Sequence, residues 1–164
     1  MKELLVDLKN YQSENTVFHR TAVRGIIKHG NTYLVIHSKY GEYKFPGGGK
    51  HDNETLTDTL LREVKEETGY SVKPNSIHEF LKVTEKRKGS PEDVMLMVSY
   101  YYFCDVEEQV GERNLDDYEK EYDYQTAWLT LEEMIAHNEN LSSIEKIPWV
   151  VRETTVMKEL LAEQ

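Results

Sequence analysis

The chain of 164 residues reads as one α/β (α+β) domain, residues 1–164, in which helices pack on a mixed sheet. Three observations predict this. Runs rich in β-branched and aromatic residues are interleaved with segments of helical periodicity. Strands and helices succeed each other without the strict alternation of a parallel βαβ fold. No repeat, low-complexity tract or linker divides the chain.

Thr16 to Lys28, TVFHRTAVRGIIK, is rich in β-branched residues and predicts a strand. His29-Gly30-Asn31 turns it into a second strand, Thr32 to Ser38. A short strand over Tyr43 to Phe45 leads into Pro46 and the triplet Gly47-Gly48-Gly49, read as a loop. From Thr55 to Thr68 the pattern becomes helical, with Leu56, Leu60 and Val64 spaced four apart, and Gly69 stands where a left-handed residue ends a helix. Two long strands, Ile77 to Lys88 and Asp93 to Val106, join at Gly89-Ser90-Pro91. The acidic stretch Glu107 to Asp123 reads as an irregular loop. Tyr124 to Leu131 returns to strand, and a short helix runs from Leu131 to His137. Pro148 to Ala162 is an amphipathic helix with Val150, Val151, Met157, Leu160 and Leu161 on its apolar side.

Composition excludes several classes of function. The formal net charge of −10 repels polyanions, so a nucleic-acid polymer is not the expected partner. A small phosphorylated substrate is compatible with that charge if a bound cation supplies local positive charge. The opening MKELLVDLKN is charged and lacks an apolar stretch of signal-peptide length, and no run could span a bilayer. A single cysteine, Cys104, forms no internal disulfide, which points to the reducing cytoplasm. Whether the chain forms a homodimer is left open.

Glu63, Glu66 and Glu67 are spaced i, i+3 and i+4, so on a helix their side chains share one face. As a structural device this is poor, because like charges at that spacing cost roughly 0.2–0.5 kcal/mol per pair. Converging carboxylates suit a hard divalent cation that prefers oxygen ligands and leaves room for phosphates and water. The plainer alternative is a solvated outer face. Against it, the carboxylates lie beside the Leu56-Leu60-Val64 stripe and not opposite it, at the border of the core. The glycines allow close approach of backbone to ligand. A P-loop is excluded, since Lys50 is followed by His51.

Gly48, Glu54, Arg62-Glu63-Val64, Glu66-Glu67, Gly69 and Tyr70 together resemble the Nudix box. The pattern is Gly, five residues, Glu, seven residues, then Arg-Glu-aliphatic-any-Glu-Glu-any-Gly-aliphatic. All seven fixed-identity positions match. Tyr70 is aromatic where the pattern is aliphatic, His51 stands where many members carry Glu, and Asn53 where many carry Gly. Trp128 with Leu129-Thr130-Leu131-Glu132-Glu133 is similar to the family's closing strand and helix. The resemblance implies the Nudix fold, an α/β/α sandwich around a mixed, partly barrel-like sheet.

It also implies an activity, the cleavage of a nucleoside diphosphate linked to another moiety, with Mg2+ or Mn2+ as cofactor. Carried over, Glu66 and Glu67 resemble metal ligands and the Gly47 carbonyl completes the shell. Glu63 is a ligand or the general base. Arg62 is similar to the arginine that orients a box carboxylate, and Glu54 to the glutamate that ties the loop to the helix. Gly48 and Gly69 are structural positions of the motif. Glu119 or Glu121 falls where an extra carboxylate often reaches the metal, with a solvated acidic loop as the alternative. Arg20, Arg24, Lys39 and Lys44 are candidates for phosphate, and Tyr33, Tyr43 and Phe45 for stacking on a base, though all could equally be ordinary strand residues.

The proline that marks ADP-ribose hydrolases is absent from Glu85 to Lys88, as are the signatures of the dinucleoside-polyphosphate, coenzyme A and NADH types. The expectation is a MutT-like nucleoside triphosphate pyrophosphohydrolase. The alternatives are a nucleotide-sugar hydrolase and a non-catalytic nucleotide-sensing domain of the same family.

Overall fold

A computed structural model describes residues 1–142 and 144–164. The order of elements is β1 (Lys2–Asp7), β2 (Val17–Ile26), β3 (Lys28–His29), β4 (Thr32–His37), β5 (Tyr43–Lys44), β6 (Gly47–Gly49), α1 (Leu56–Thr68) and β7 (Tyr70–Val72). Then come β8 (His78–Lys88), β9 (Val94–Phe103), β10 (Val106–Val110), α2 (Asp117–Glu121), β11 (Gln125–Leu129), α3 (Leu131–Glu139) and α4 (Val150–Ala162). The main sheet has the order β1-β8-β9-β2-β6. It is mixed, with β1 parallel to β8, β9 parallel to β2, and antiparallel pairs elsewhere. A second sheet runs β11-β4-β3 with β5 also on β4, and β10 pairs with β7. The main sheet is mixed as expected and stays open, without closing into a barrel.

Two local expectations are corrected, and one strand was not foreseen. The charged N-terminal residues form an edge strand, because β8 offers a free edge and Leu4 and Val6 pack inward. The glycine triplet is not a loop but the short strand β6, antiparallel to β2. The acidic stretch Glu107 to Asp123 is not irregular throughout, since it holds most of β10 and all of α2.

α1 begins as its sequence demands. Thr55 and Asp58 form a reciprocal capping box, and Gly69 closes the helix at φ +81 in the left-handed region. Leu60 and Val64 pack with Val23, Ile27 and Leu34 on one side of the sheet. On the other side Leu131, Met134, Val156, Met157 and Leu160 of α3 and α4 pack with Ile26, Leu81, Val83 and Tyr101. Strand register then decides where a cavity can open. On β2 the side chains of Arg20, Ala22, Arg24 and Ile26 share one face. They lie level with Met97, Ser99, Tyr101 and Phe103 of β9. One end of that face is core. The other end, carrying Arg20 and Arg24, is a cavity.

Candidate active site

The glycine strand is thin because both of its faces are occupied. A Cβ on Gly48 would lie 2.6 Å from the Glu63 carboxylate, and one on Gly49 would lie 2.9 Å from the Arg20 guanidinium. A Cβ on Gly47 would meet the Val23 carbonyl oxygen at 2.1 Å. Three glycines in a row therefore let α1 and β2 bring opposite charges against one strip of backbone.

Arg62 latches this strip to the helix. Its Nε and Nη2 donate to the two oxygens of Glu54 at 2.6 and 2.9 Å, its Nη2 also to the Gly49 carbonyl at 3.0 Å. Its Nη1 donates to Glu63 at 2.9 Å and to Glu66 at 3.2 Å. The guanidinium fork holds the Glu54 carboxyl at about 2, well below its ordinary range.

Carboxylate oxygens of Glu63, Glu67 and Glu119 lie within 4.8 Å of one another. Glu67 is 1% exposed; one oxygen accepts the Gly47 N–H at 2.6 Å, and the other is buried with no hydrogen-bond partner. Burial, and after it the neighbouring Glu119 and Glu63, push its pKa well above the usual carboxylate range, with Lys44 opposing. Burial raises the Glu63 carboxyl as well, against the pull of Arg62. Glu119 comes from α2, whose capping box uses Asp116 Oδ1 and Glu119 Oε1, so Glu119 Oε2 is left for the cluster. A buried carboxyl oxygen without a partner, beside two further carboxylates, fits a cation, and an all-oxygen donor set fits Mg2+ or Mn2+.

Facing the carboxylates is a cavity of about 450 Å3 whose other wall is cationic. Arg24 is 5% exposed and its buried Nε has no acceptor. Arg87 likewise has a buried Nε without a hydrogen bond, 3.3 Å from Glu85. Burial, then Arg24 and Arg152, lowers the proton affinity of Arg20. Lys44 is buried too, which lowers its pKa; its ammonium donates to Tyr124 Oη at 2.6 Å and lies over the rings of Tyr124 and Trp149. Met97 lines the floor, with Tyr118 and Trp149 beside it.

The structure brings some of the expected residues to this cavity and places others elsewhere. Gly47, Gly48, Glu63, Glu67, Glu119, Arg20, Arg24 and Lys44 all line the cavity. Glu66 does not join the carboxylate cluster, because Arg62 holds it at the outer side of α1 and it lines a separate surface depression. Glu121 is exposed at the end of α2 and is also outside the cluster. Phe45 and Tyr33 are not available to a base: they are 0% and 2% exposed and pack edge to face within the core. Tyr43 packs beside His137 and His37. Lys39 is exposed over Tyr40 and Tyr122, away from the cavity lining.

The sequence reading missed Arg87, Arg152, Tyr118, Tyr124 and Trp149. Two signals pointed to some of them. Asp116-Asp117-Tyr118-Glu119 has the spacing of a capping box, which starts a helix. Arg152 and Glu153 fall in step with Val156 and Met157, so charges sit on the apolar stripe of α4.

Three converging carboxylates thus face a wall of buried and half-buried arginines across one cavity. A family model described as NUDIX domain matches residues 18–150. The chain belongs to the NUDIX family and is a hydrolase acting on phosphorus-containing anhydrides. It is 30% identical over 133 residues to YtkD of Bacillus subtilis, named as an 8-oxo-dGTP diphosphatase, covering 80% of this chain and 72% of that one. It is 37% identical over 75 residues to an ADP-ribose pyrophosphatase of Methanocaldococcus jannaschii, 43% of each chain. The fold is similar to that of the E. coli ORF135 protein, with a TM-score of 0.55 at 17% identity over 87% of this chain and 92% of that one. A NUDIX hydrolase from Nitrosomonas europaea gives 0.54 at 18% identity over 84% and 88%. Among the described residues no helix is long and apolar enough to cross a membrane.

Proposed function

We propose that this hydrolase converts a nucleoside triphosphate to the monophosphate and pyrophosphate, with Mg2+ or Mn2+ held by Glu67, Glu119 and the Gly47 carbonyl and with Glu63 beside them as the general base. The observation that carries the reading is the pairing of this carboxylate cluster with Arg24, whose buried Nε has no acceptor, in a wall that also holds Arg20, Arg87 and Lys44. A buried guanidinium without an anion is costly, and phosphate oxygens are its natural partners. A triphosphate brings more negative charge to that wall than a diphosphate joined to a neutral sugar. The matched relatives divide between those two kinds of substrate, one named for 8-oxo-dGTP and one for ADP-ribose. The cationic wall favours the first.

The cation supplies charge neutralisation and polarisation of the phosphoryl oxygens. The protein's own groups do the rest. Arg20, Arg24 and Lys44 bind and orient the phosphate chain. A water attacks phosphorus, its proton passes to Glu63, and the P–O bond to the departing pyrophosphate breaks with the electron pair on that oxygen. Arg62 and Glu54 keep Glu63 aimed. Glu66 acts from outside the cluster, through Arg62. The single cysteine, buried in the core, suits the cytoplasm.

The test is a panel of nucleoside triphosphates, dGTP and 8-oxo-dGTP included, beside nucleoside diphosphate sugars of matched base, assayed for phosphate and pyrophosphate with Mg2+ and in EDTA. Pyrophosphate from triphosphates only with Mg2+ is the expected result. Faster cleavage of the sugar nucleotides would overturn the substrate, and full turnover in EDTA the cofactor.

A further inference from the structure

β5 is held on one side by β4, through Ile36–Lys44 and His37–Tyr43. Tyr43 and Phe45 turn their backbone groups to the other side, and two buried side chains take the place of a strand there. Asn138 of α3, 4% exposed, accepts the Tyr43 N–H at 2.9 Å and donates to the Tyr43 carbonyl at 3.0 Å. Glu153 of α4, 0% exposed, accepts the Phe45 N–H at 2.7 Å. Neither side chain lines the cavity.

Glu153 is itself immobilised. Its second oxygen accepts from the Tyr101 hydroxyl and lies 3.3 Å from Arg152 Nε, and Arg152 Nη1 donates to Glu85 at 2.8 Å. Fully buried ion pairs of this kind are weak stabilisers, since apolar side chains of equal volume often do as well or better. What they supply here is position. Between Phe45 and Gly47 there is only Pro46, whose φ is restricted and whose carbonyl accepts from Gly25 at 2.8 Å. The next N–H, that of Gly47, is the one that meets Glu67.

We propose that Asn138 and Glu153 are positioning residues of the active site: by setting the register of β5 from behind, they place the Gly47 peptide against the carboxylate cluster. The inference rests on the cation site proposed above for its main readout. It makes α3 and α4 a working part of a site whose recognisable motif ends at Tyr70.

The experiment compares Glu153→Met, Glu153→Asp, Glu153→Gln, Asn138→Leu and Glu85→Gln. The readouts are Mn2+ affinity of the substrate-free protein by electron paramagnetic resonance, kcat and KM, and thermal melting. Glu153→Met and Asn138→Leu remove the acceptor, and Glu153→Asp keeps the charge but shortens the reach. Each is expected to weaken Mn2+ binding about tenfold or more, the usual effect of losing an outer partner, and to lower kcat with KM for nucleotide little changed. Glu153→Gln keeps an acceptor for Phe45 and should retain most of the affinity. Glu85→Gln disturbs the same buried network without touching β5, so it should lower the melting temperature yet keep Mn2+ affinity within about twofold. Should Glu153→Met not fold, Glu153→Asp and Asn138→Leu decide. Equal loss of Mn2+ affinity in Glu85→Gln and Glu153→Asp would overturn the proposal, as would wild-type affinity in Glu153→Asp and Asn138→Leu. If the wild type binds no Mn2+, the cation reading fails and the inference is read from amide NMR. The Gly47 and Gly48 shifts must then move in Glu153→Asp and stay in Glu85→Gln, and the opposite pattern overturns it.

Discussion

Replacing Glu67 with Gln should make the metal-free protein more stable and nearly inactive. Gln keeps the acceptor for the Gly47 N–H and puts an amide where the orphaned oxygen stood, facing the Glu63 and Glu119 carboxylates. Two ionised carboxylates whose oxygens lie within 4.8 Å of each other repel by about 3 kcal/mol or more at an effective dielectric of about 20. Lys44 and partial protonation offset much of that, leaving a net gain of ~1–2 kcal/mol on substitution. For a chain of this length that is a rise in melting temperature of about 2–8 °C. Turnover should fall by about 10²–10³, the usual loss when one preorganised electrostatic partner of the transition state is removed. Glu66→Gln is the internal control, because Glu66 is exposed at 32% and paired only with Arg62. An i,i+4 surface pair contributes ~0.3–0.5 kcal/mol, so its melting point should move by less than about 2 °C and its rate by less than about tenfold. The assays are calorimetry in EDTA and pyrophosphate release with Mg2+ titrated. A Glu67→Gln protein that melts below wild type in EDTA, or turns over within tenfold of it, would refute this reasoning.

The same geometry sets three further outcomes. With no cation bound, Glu63 and Glu67 hold protons above the ordinary 4.5 of a carboxyl while the unfolded chain does not, so stability should fall as pH rises from that value through the raised pKa values; melting of the EDTA-treated protein across pH checks this, and both Glu67→Gln and saturating Mg2+ should flatten the slope. Gly47→Ala and Gly48→Ala should differ in kind: the first collides with the Val23 backbone and should cost more than ~3 kcal/mol, whereas the second meets only the mobile end of Glu63 and should fold but lose activity, which melting and turnover together distinguish. Cys104 is 3% exposed and burial pushes its thiol up to about 12, so it should react with a thiol reagent only after unfolding; stoichiometric labelling of the native protein at pH 8 would contradict the packing.

Much of the fold was legible because periodicity reports burial. α1 announced itself through the Leu56-Leu60-Val64 stripe, and α4 through its apolar side, since helical spacing has one reading over that length. β1 and β6 were not legible for the opposite reason. The MKELLVDLKN segment alternates too weakly to stand out, and becomes a strand because β8 has an edge to cover. Three glycines have no strand propensity; they pair with β2 because only a strip without side chains fits between Glu63 and Arg20. In both cases tertiary contact decides against local preference.

The site divides along the same line, between what one helix can encode and what several elements must assemble. Glu63 and Glu67 were visible as i and i+4 on α1, and Glu66 appeared equivalent because spacing alone cannot say which neighbour an arginine will claim. Arg62 claims it, while a third carboxylate arrives from α2, more than fifty positions along the chain. Arg62 answers Glu54, the Gly49 carbonyl, Glu63 and Glu66 together, so of the carboxylates on α1 it is Glu67 whose Oε2 is left buried without a partner. The wall opposite has the inverse imbalance, with the buried Arg24 Nε lacking an acceptor and Arg87 Nε no closer than 3.3 Å to Glu85. In a chain with a net charge of −10, a buried Arg24 Nε left without an acceptor is a place where an anion would be welcome. On the proposed reading, cation and polyphosphate would complete opposite walls of one site, so each should bind more tightly when the other is present; Mn2+ affinity measured with and without a non-hydrolysable nucleotide checks this, and equal affinities would contradict it.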